Sequence, residues 1–260
     1  MNFDIDRLAG DLAAAWSDGS TIPLPETGPA DRATAYAVQD KMAAAIGTKV
    51  VGWKVGAPAK EVQMFEGHDG PIPGRIFEDR LFEGNGSVSA RLIHSAKVEC
   101  EYGMRLVEAL PPKIETVTRS MLEDRVVFHP AIELASTRYA PGTGNRVMMT
   151  FDGIADNGTG GAAVLGAPVE DWRSLNFSNM NIHATIDGSP PIQAYSDVYR
   201  LHPLDVMVDI INDLIARGID FEAGMFLLTG SMTLPTPFRA GQTLTVRHDA
   251  FPEISLTMTA

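Results

Sequence analysis

The chain is predicted to fold as an α+β protein, with a short helical opening followed by a strand-rich body. Three observations predict this. The first 46 residues have helical spacing and glycine stops. From Gly47 onward, short β-like segments separated by Gly and Pro dominate. The helical stretches among them fall at irregular intervals, unlike the strict alternation of a doubly wound sheet.

Taken in order, Phe3, Leu8, Leu12 and Ala15 give the first helix, which Gly19 stops. Pro23, Pro25 and Pro29 mark a loop. A second helix starts near Asp31, turns Tyr36, Ala37 and Ala44 inward and ends at Gly47. This divides the chain into a helical segment over 1–46 and a β-rich core over 47–260. Strands are expected at 49–55, 87–93, 97–106, 161–165, 181–187, 225–229, 243–248 and 253–258. Helices are expected at 114–125 and 146–156. A third has Leu204, Met207, Val208, Ile211 and Ile215 on one face, Pro203 at its start and Gly218 beyond its end.

Composition narrows the function. Hydrophobic residues make up 45% of 260, enough for a sizeable core and too many for disorder. A net charge of −12 argues against nucleic acid and anionic membrane as partners. No stretch approaches the ~20 apolar residues of a membrane helix. The start lacks the basic and apolar regions of a signal peptide. A single cysteine forms no internal disulfide, so a cytoplasmic location is expected.

The strongest chemical signal is Val98-Glu99-Cys100-Glu101. On a strand, Glu99 and Glu101 point the same way, with about 7 Å between their Cα atoms. Glu133 follows within the apolar run Ala131-Ile132-Glu133-Leu134-Ala135, where an unpartnered carboxylate is costly. Like charges on an apolar face need an offset, and a hard divalent cation, Mg²⁺ or Mn²⁺, supplies one. Solvated carboxylates on an exposed strand are the competing reading of the pair alone.

Lys54, in Gly52-Trp53-Lys54-Val55-Gly56, is either a base or anion anchor with a pKa depressed by burial, or the one polar residue of a surface strand. Asp79 is either a general acid/base or part of an ordinary acidic turn. The glycine-rich stretch around Asn157-Gly158-Thr159 lets backbone N–H groups approach an anion but lacks any nucleotide-binding pattern. Thr229-Gly230-Ser231 offers hydroxyls to a carboxylate or is a plain turn. The six histidines show no metal-ligand spacing; His94 and His129 lie upstream of the glutamates, where a supporting role is open.

Seven short motifs then occur in a familiar order: Tyr36-Ala37-Val38-Gln39, Gly52-Trp53-Lys54-Val55-Gly56, Val98-Glu99-Cys100-Glu101, Pro130-Ala131-Ile132-Glu133, Ala155-Asp156-Asn157, Val164-Leu165-Gly166 and Leu228-Thr229-Gly230-Ser231. In these the chain resembles the 2-keto-4-pentenoate hydratase / 4-oxalocrotonate decarboxylase family of the fumarylacetoacetate hydrolase superfamily. The resemblance runs from about Asp31 to the C-terminus. It implies a fumarylacetoacetate hydrolase-like roll of mixed β-sheet with a helical N-terminal segment. It implies Mg²⁺ or Mn²⁺ on Glu99, Glu101 and Glu133, and proton transfer by Lys54 and Asp79. Thr159, Thr229 and Ser231 are the expected substrate-binding hydroxyls. The implied activity is hydration of a 2-hydroxy-2,4-dienoate to a 4-hydroxy-2-oxo acid in aromatic meta-cleavage catabolism. Decarboxylation of a 2-oxo-3-enedioate and a non-catalytic scaffold subunit are the alternatives. A homo-oligomer is implied, with room for a complex with a pathway partner enzyme. The chain departs from the family pattern at Ala57-Pro58, at Gly158-Thr159-Gly160 and over 195–201.

Overall fold

The computed structural model describes residues 3–143, 145–196 and 199–260. The helices are α1 (Ile5–Asp18), α2 (Arg32–Ile46), α3 (Lys60–Glu66), α4 (Arg119–Glu123), α5 (Thr150–Ala155) and α6 (Pro203–Ala216). The strands are β1 (Val50–Gly56), β2 (Ile72–Phe77), β3 (Leu81–Glu83), β4 (Gly86–Ser89), β5 (Lys97–Leu106), β6 (Val126–Ala135), β7 (Gly160–Leu165), β8 (Ile182–Ile186), β9 (Phe226–Leu228), β10 (Thr236–Pro237), β11 (Thr243–His248) and β12 (Ile254–Thr259). The α+β class is borne out. Among the described residues no helix is long and apolar enough to cross a membrane.

The main sheet runs β2-β1-β9-β5-β6-β7-β3, with β10 pairing β5 off that path; a second runs β4-β12-β11-β8. The even-numbered side chains of β5 supply both cores. Val98 and Cys100 pack in the core between the sheets, while Tyr102, Met104 and Leu106 pack under α6. The odd-numbered face, which carries Glu99 and Glu101, is left for the site. Period-2 alternation of β5 therefore separates packing from chemistry.

The main sheet is curled. On a flat sheet, three strand spacings of about 4.8 Å would hold β1 and β6 about 14 Å apart. Yet Lys54 on β1 reaches Glu133 on β6. Asn157, just before β7, helps close the curl. Its Oδ1 accepts from Arg75 N–H at 2.8 Å and its Nδ2 donates to the Arg75 carbonyl at 2.9 Å, so a side chain takes the place of a neighbouring strand beside β2. Gly74 is required at this junction, because a Cβ there would lie 2.2 Å from the Asn157 carbonyl oxygen.

Several expected elements differ. Ala44 is exposed and Ala37 only half-buried; the inward face of α2 is Ala35, Tyr36, Val38, Gln39 and Met42. The expected helix over 114–125 shrinks to α4, because Val117 pairs through N–H and carbonyl with the Asn212 side chain of α6. The expected helix over 146–156 starts only at Thr150, where the Asp152 side chain accepts from Met149 N–H at 2.8 Å and sets the N-terminus. The expected strand over 87–93 ends at Ser89, whose Oγ accepts from Arg91 N–H and opens a tight turn. The sequence reading omitted β2, β3, β6, β10 and α3.

Candidate active site

Two adjacent strands build the site. β5 and β6 pair antiparallel with Glu99 opposite Glu133 and Glu101 opposite Ala131. Directly opposed residues share a face, so Glu133 joins the Glu99/Glu101 side of the sheet. One oxygen from each of the three lies within 4.8 Å of the others. Glu101 and Glu133 are buried and Glu99 is half-buried.

This cluster is incomplete as a set of protein contacts. Glu101 Oε2 accepts from Gly230 N–H at 2.8 Å. Lys54 Nζ lies 2.9 Å from Glu133 Oε1, an ion contact without hydrogen-bond alignment. Glu101 Oε1 and Glu133 Oε2 are buried without a partner. Burial, and then the charge of Glu133, push the Glu99 carboxyl up to about 8. Burial, then Glu133 and Glu99, push Glu101 well above the usual carboxylate range. Three convergent hard oxygen donors with unmatched charge fit a small divalent cation, which satisfies the orphaned oxygens and offsets the repulsion.

Lys54 corrects an expectation. It is buried, and burial works to lower its pKa, but Glu133 and Glu99 outweigh burial and the net shift is upward. The amine is therefore held protonated beside the carboxylates. Cys100 projects to the opposite side, where burial pushes its thiol up to about 12; it takes no part in the site.

A cleft opens over Glu99 and Lys54, lined also by Pro58, Thr159, Tyr195 and Ser231. Asn157 and Thr159 hold left-handed backbone at φ 51° and 55°, an uncommon conformation for non-glycine residues that sets this loop against the site. Ser231 Oγ donates to the Thr233 carbonyl at 2.7 Å while facing the cleft. Thr229 is different: its hydroxyl donates to the Tyr102 carbonyl at 3.1 Å, and it lines a neighbouring cavity instead.

Asp79 is not brought to the triad. It sits in the turn after β2, its side chain half exposed, with Arg80 Nε 3.9 Å away, and it lines neither cavity that contains Lys54. Neighbouring Phe77 and Arg80 point inward, which turns Asp79 to solvent. Of the histidines, His129 is buried with Nδ1 bonded to the Gly166 carbonyl at 2.7 Å, and His94 bonds the Gly19 carbonyl; neither touches a glutamate oxygen. The Asp156 of the Ala-Asp-Asn motif is structural, locked to Arg138. Sequence reasoning missed Glu66, His68 and Tyr199 at the cleft wall, where a short helix the pattern did not reveal presents the first of them. Within the altered segment over 195–201, Asp197 and Val198 lie outside the described residues.

The fold and the triad together define an α+β protein with a candidate carboxylate metal centre. No family model matches the chain. It is 28% identical over 235 residues to a 2-keto-4-pentenoate hydratase of Paraburkholderia xenovorans (strain LB400), covering 87% of this chain and 84% of that protein. It is 27% identical to a 2-oxo-hept-4-ene-1,7-dioate hydratase of Escherichia coli, over 85% and 84% of the two chains. Its fold matches 4-oxalocrotonate decarboxylase from Pseudomonas putida G7, solved with magnesium and adipate, at a TM-score of 0.82 and 21% identity over 98% and 97% of the chains. The resemblance read from the motifs is borne out: the chain is homologous over most of its length to the 2-keto-4-pentenoate hydratases.

Proposed function

We propose that the chain is a metal-dependent hydro-lyase that adds water to a 2-hydroxy-2,4-dienoate, giving a 4-hydroxy-2-oxo acid in the breakdown of aromatic compounds. The observation that carries this reading is the carboxylate triad with orphaned oxygens, whose Glu99 lines an open cleft, in a chain homologous to dienoate hydratases. Glu99, Glu101 and Glu133 would hold the ion, with Mg²⁺ favoured by availability and Mn²⁺ accepted by the same oxygens. When bound, a divalent ion supplies positive charge that favours the enolate form of a 2-oxo acid.

The remaining roles belong to side chains. Lys54 Nζ, protonated and buried, is placed to orient an anionic substrate and to hand over a proton at the cleft floor. Thr159 offers a hydroxyl to the substrate, and Ser231 would join it on the opposite loop once its proton leaves the Thr233 carbonyl. Asp79 lies outside the cleft, so proton transfer is assigned to Lys54. Thr229 supports the turn that delivers Gly230 N–H to Glu101. A homo-oligomer is supported by apolar surface on α3, where Met64 and Phe65 are exposed, and at Val147, Met148 and Met149. A cytoplasmic location is supported by the single buried thiol.

The test is turnover of 2-hydroxypenta-2,4-dienoate by Mg²⁺-loaded protein, followed by product analysis. A 4-hydroxy-2-oxo acid is expected. Release of CO₂ from a 2-oxo-3-enedioate without a hydrated product would move the assignment to the decarboxylase reaction. Glu101→Gln should lower metal affinity and turnover together, by about 100-fold or more. Full activity of this variant after chelator treatment would overturn the metal-dependent reading.

A further inference from the structure

Beside the triad cleft lies a second cavity that shares Pro58, Tyr199 and Ser231 with it. The two are divided by the Thr229–Ser231 turn, whose Gly230 N–H holds Glu101. Phe177, Leu201 and Met232 form an apolar side of the second cavity, and it also holds two donors without an anionic partner, Arg200 and Tyr102. Arg200 is half-buried and forms no ion pair among the described residues; its Nη2 donates to the Phe177 carbonyl at 3.4 Å. Tyr102 is 3% exposed, and its buried hydroxyl has no hydrogen-bond partner. The nearby carboxylate of Asp249 is already taken by the backbone N–H and Nδ2 of Asn181. The ring of His248 lies 5.4 Å from that of Tyr102, and burial and the charge of Arg200 hold it down at about 4, so it adds no cation at neutral pH.

Buried donors left unpaired are costly, and their number in native proteins is small. A cation and a phenol beside an apolar wall, in a cavity that adjoins the triad cleft, complement a carboxylate carried on a short hydrocarbon chain. We infer that this cavity is the subsite for the distal carboxylate of a dicarboxylic dienoate, with Arg200 as the cationic donor and Tyr102 as the neutral one. The inference rests on the hydratase reading for the proximal end of the substrate and adds its substrate class. A monocarboxylic dienoate leaves the buried Tyr102 hydroxyl unpaired and the Arg200 charge without an anion, and that difference creates the selectivity.

The experiment uses the Mg²⁺-loaded full chain and two readouts. Calorimetric titration compares adipate with hexanoate, and kinetics compare 2-hydroxyhepta-2,4-diene-1,7-dioate with 2-hydroxypenta-2,4-dienoate. The diacid is expected to win both comparisons by about 10- to 100-fold. Arg200→Met should bring the adipate-to-hexanoate ratio close to one, Tyr102→Phe should lower it less, and Arg200→Lys should retain part of it. Equal affinity for adipate and hexanoate, or a ratio that Arg200→Met leaves intact, would overturn the subsite. Equal turnover of the two dienoates would also overturn it while the hydratase reading stands. If neither dienoate turns over, the hydratase reading fails and the titration ratio still decides the subsite.

Discussion

Two buried ionic clusters of the molecule are built in opposite ways. Around Asp156 every charge is answered. Thr137 Oγ1 and Arg138 N–H donate to one carboxylate oxygen at 2.8 and 2.9 Å, and Arg138 Nε donates to the other. The Arg138 guanidinium also reaches the carbonyls of Asp156 and Gly160, and both side chains are almost wholly buried. Around Glu99, Glu101 and Glu133, one lysine faces three carboxylates and two buried oxygens have no partner. A saturated cluster holds the fold. The unsaturated one fits a ligand, because among the described residues Lys54 and the Gly230 N–H offset only part of the cost of three converging carboxylates.

The sharpest way to break that comparison is to remove one partner from each cluster. Arg138→Met strands the Asp156 charge and should cost about 3–5 kcal/mol in denaturant unfolding. Glu133→Gln in metal-free protein removes a repelling charge and should cost under about 1 kcal/mol on the same scale. Comparable losses would make the triad a structural cluster too.

A smaller effect is expected where the structural side meets the curl of the sheet. Asn157→Ala leaves the buried N–H and carbonyl of Arg75 unpaired and places Ala in left-handed backbone. The expected loss is about 1–3 kcal/mol, read from the unfolding midpoint. Turnover should fall with it, since the curl brings Lys54 of β1 to the triad on β5 and β6; unchanged turnover would separate the closure from the site.

The smallest effect is on pH. Glu99 keeps its proton up to about pH 8 in the folded chain, whereas its ordinary value is 4.5. Between those values the folded state binds more protons than the unfolded state, so stability falls as pH rises through that window. Melting temperatures of chelator-treated protein should therefore decline from pH 4.5 to 8, and Mg²⁺ should restore most at the upper end. A profile that is flat in both conditions would mean that neither burial nor the charge of Glu133 raises the Glu99 carboxyl.

How much of this was legible follows from the range of each signal. Glu99 and Glu101 share a face because strand alternation is a local rule, and β5 was read with its observed limits. α6 was legible because its stripe, its Pro203 start and its Gly218 stop all lie within one segment. Glu133 was singled out for its apolar neighbours, but its strand was not: a long apolar run containing Pro130 has no alternation to read. Asp79 was placed by motif order, and the turn after β2 directs it to solvent. Lys54 was expected to have a depressed pKa from burial alone; the carboxylates that reverse the shift come from distant strands.

The sequence by itself determined the α+β class, the paired glutamates on one strand face and the third glutamate in an apolar run, since each depends on residues within a few positions of one another. Only the tertiary structure decided that Glu133 stands opposite Glu99, that the curled sheet brings Lys54 onto it, and that Arg200 and Tyr102 share a cavity beside the triad. Those relations depend on strand register and sheet curvature, which are set by contacts between segments tens of residues apart and leave no periodic trace in the chain.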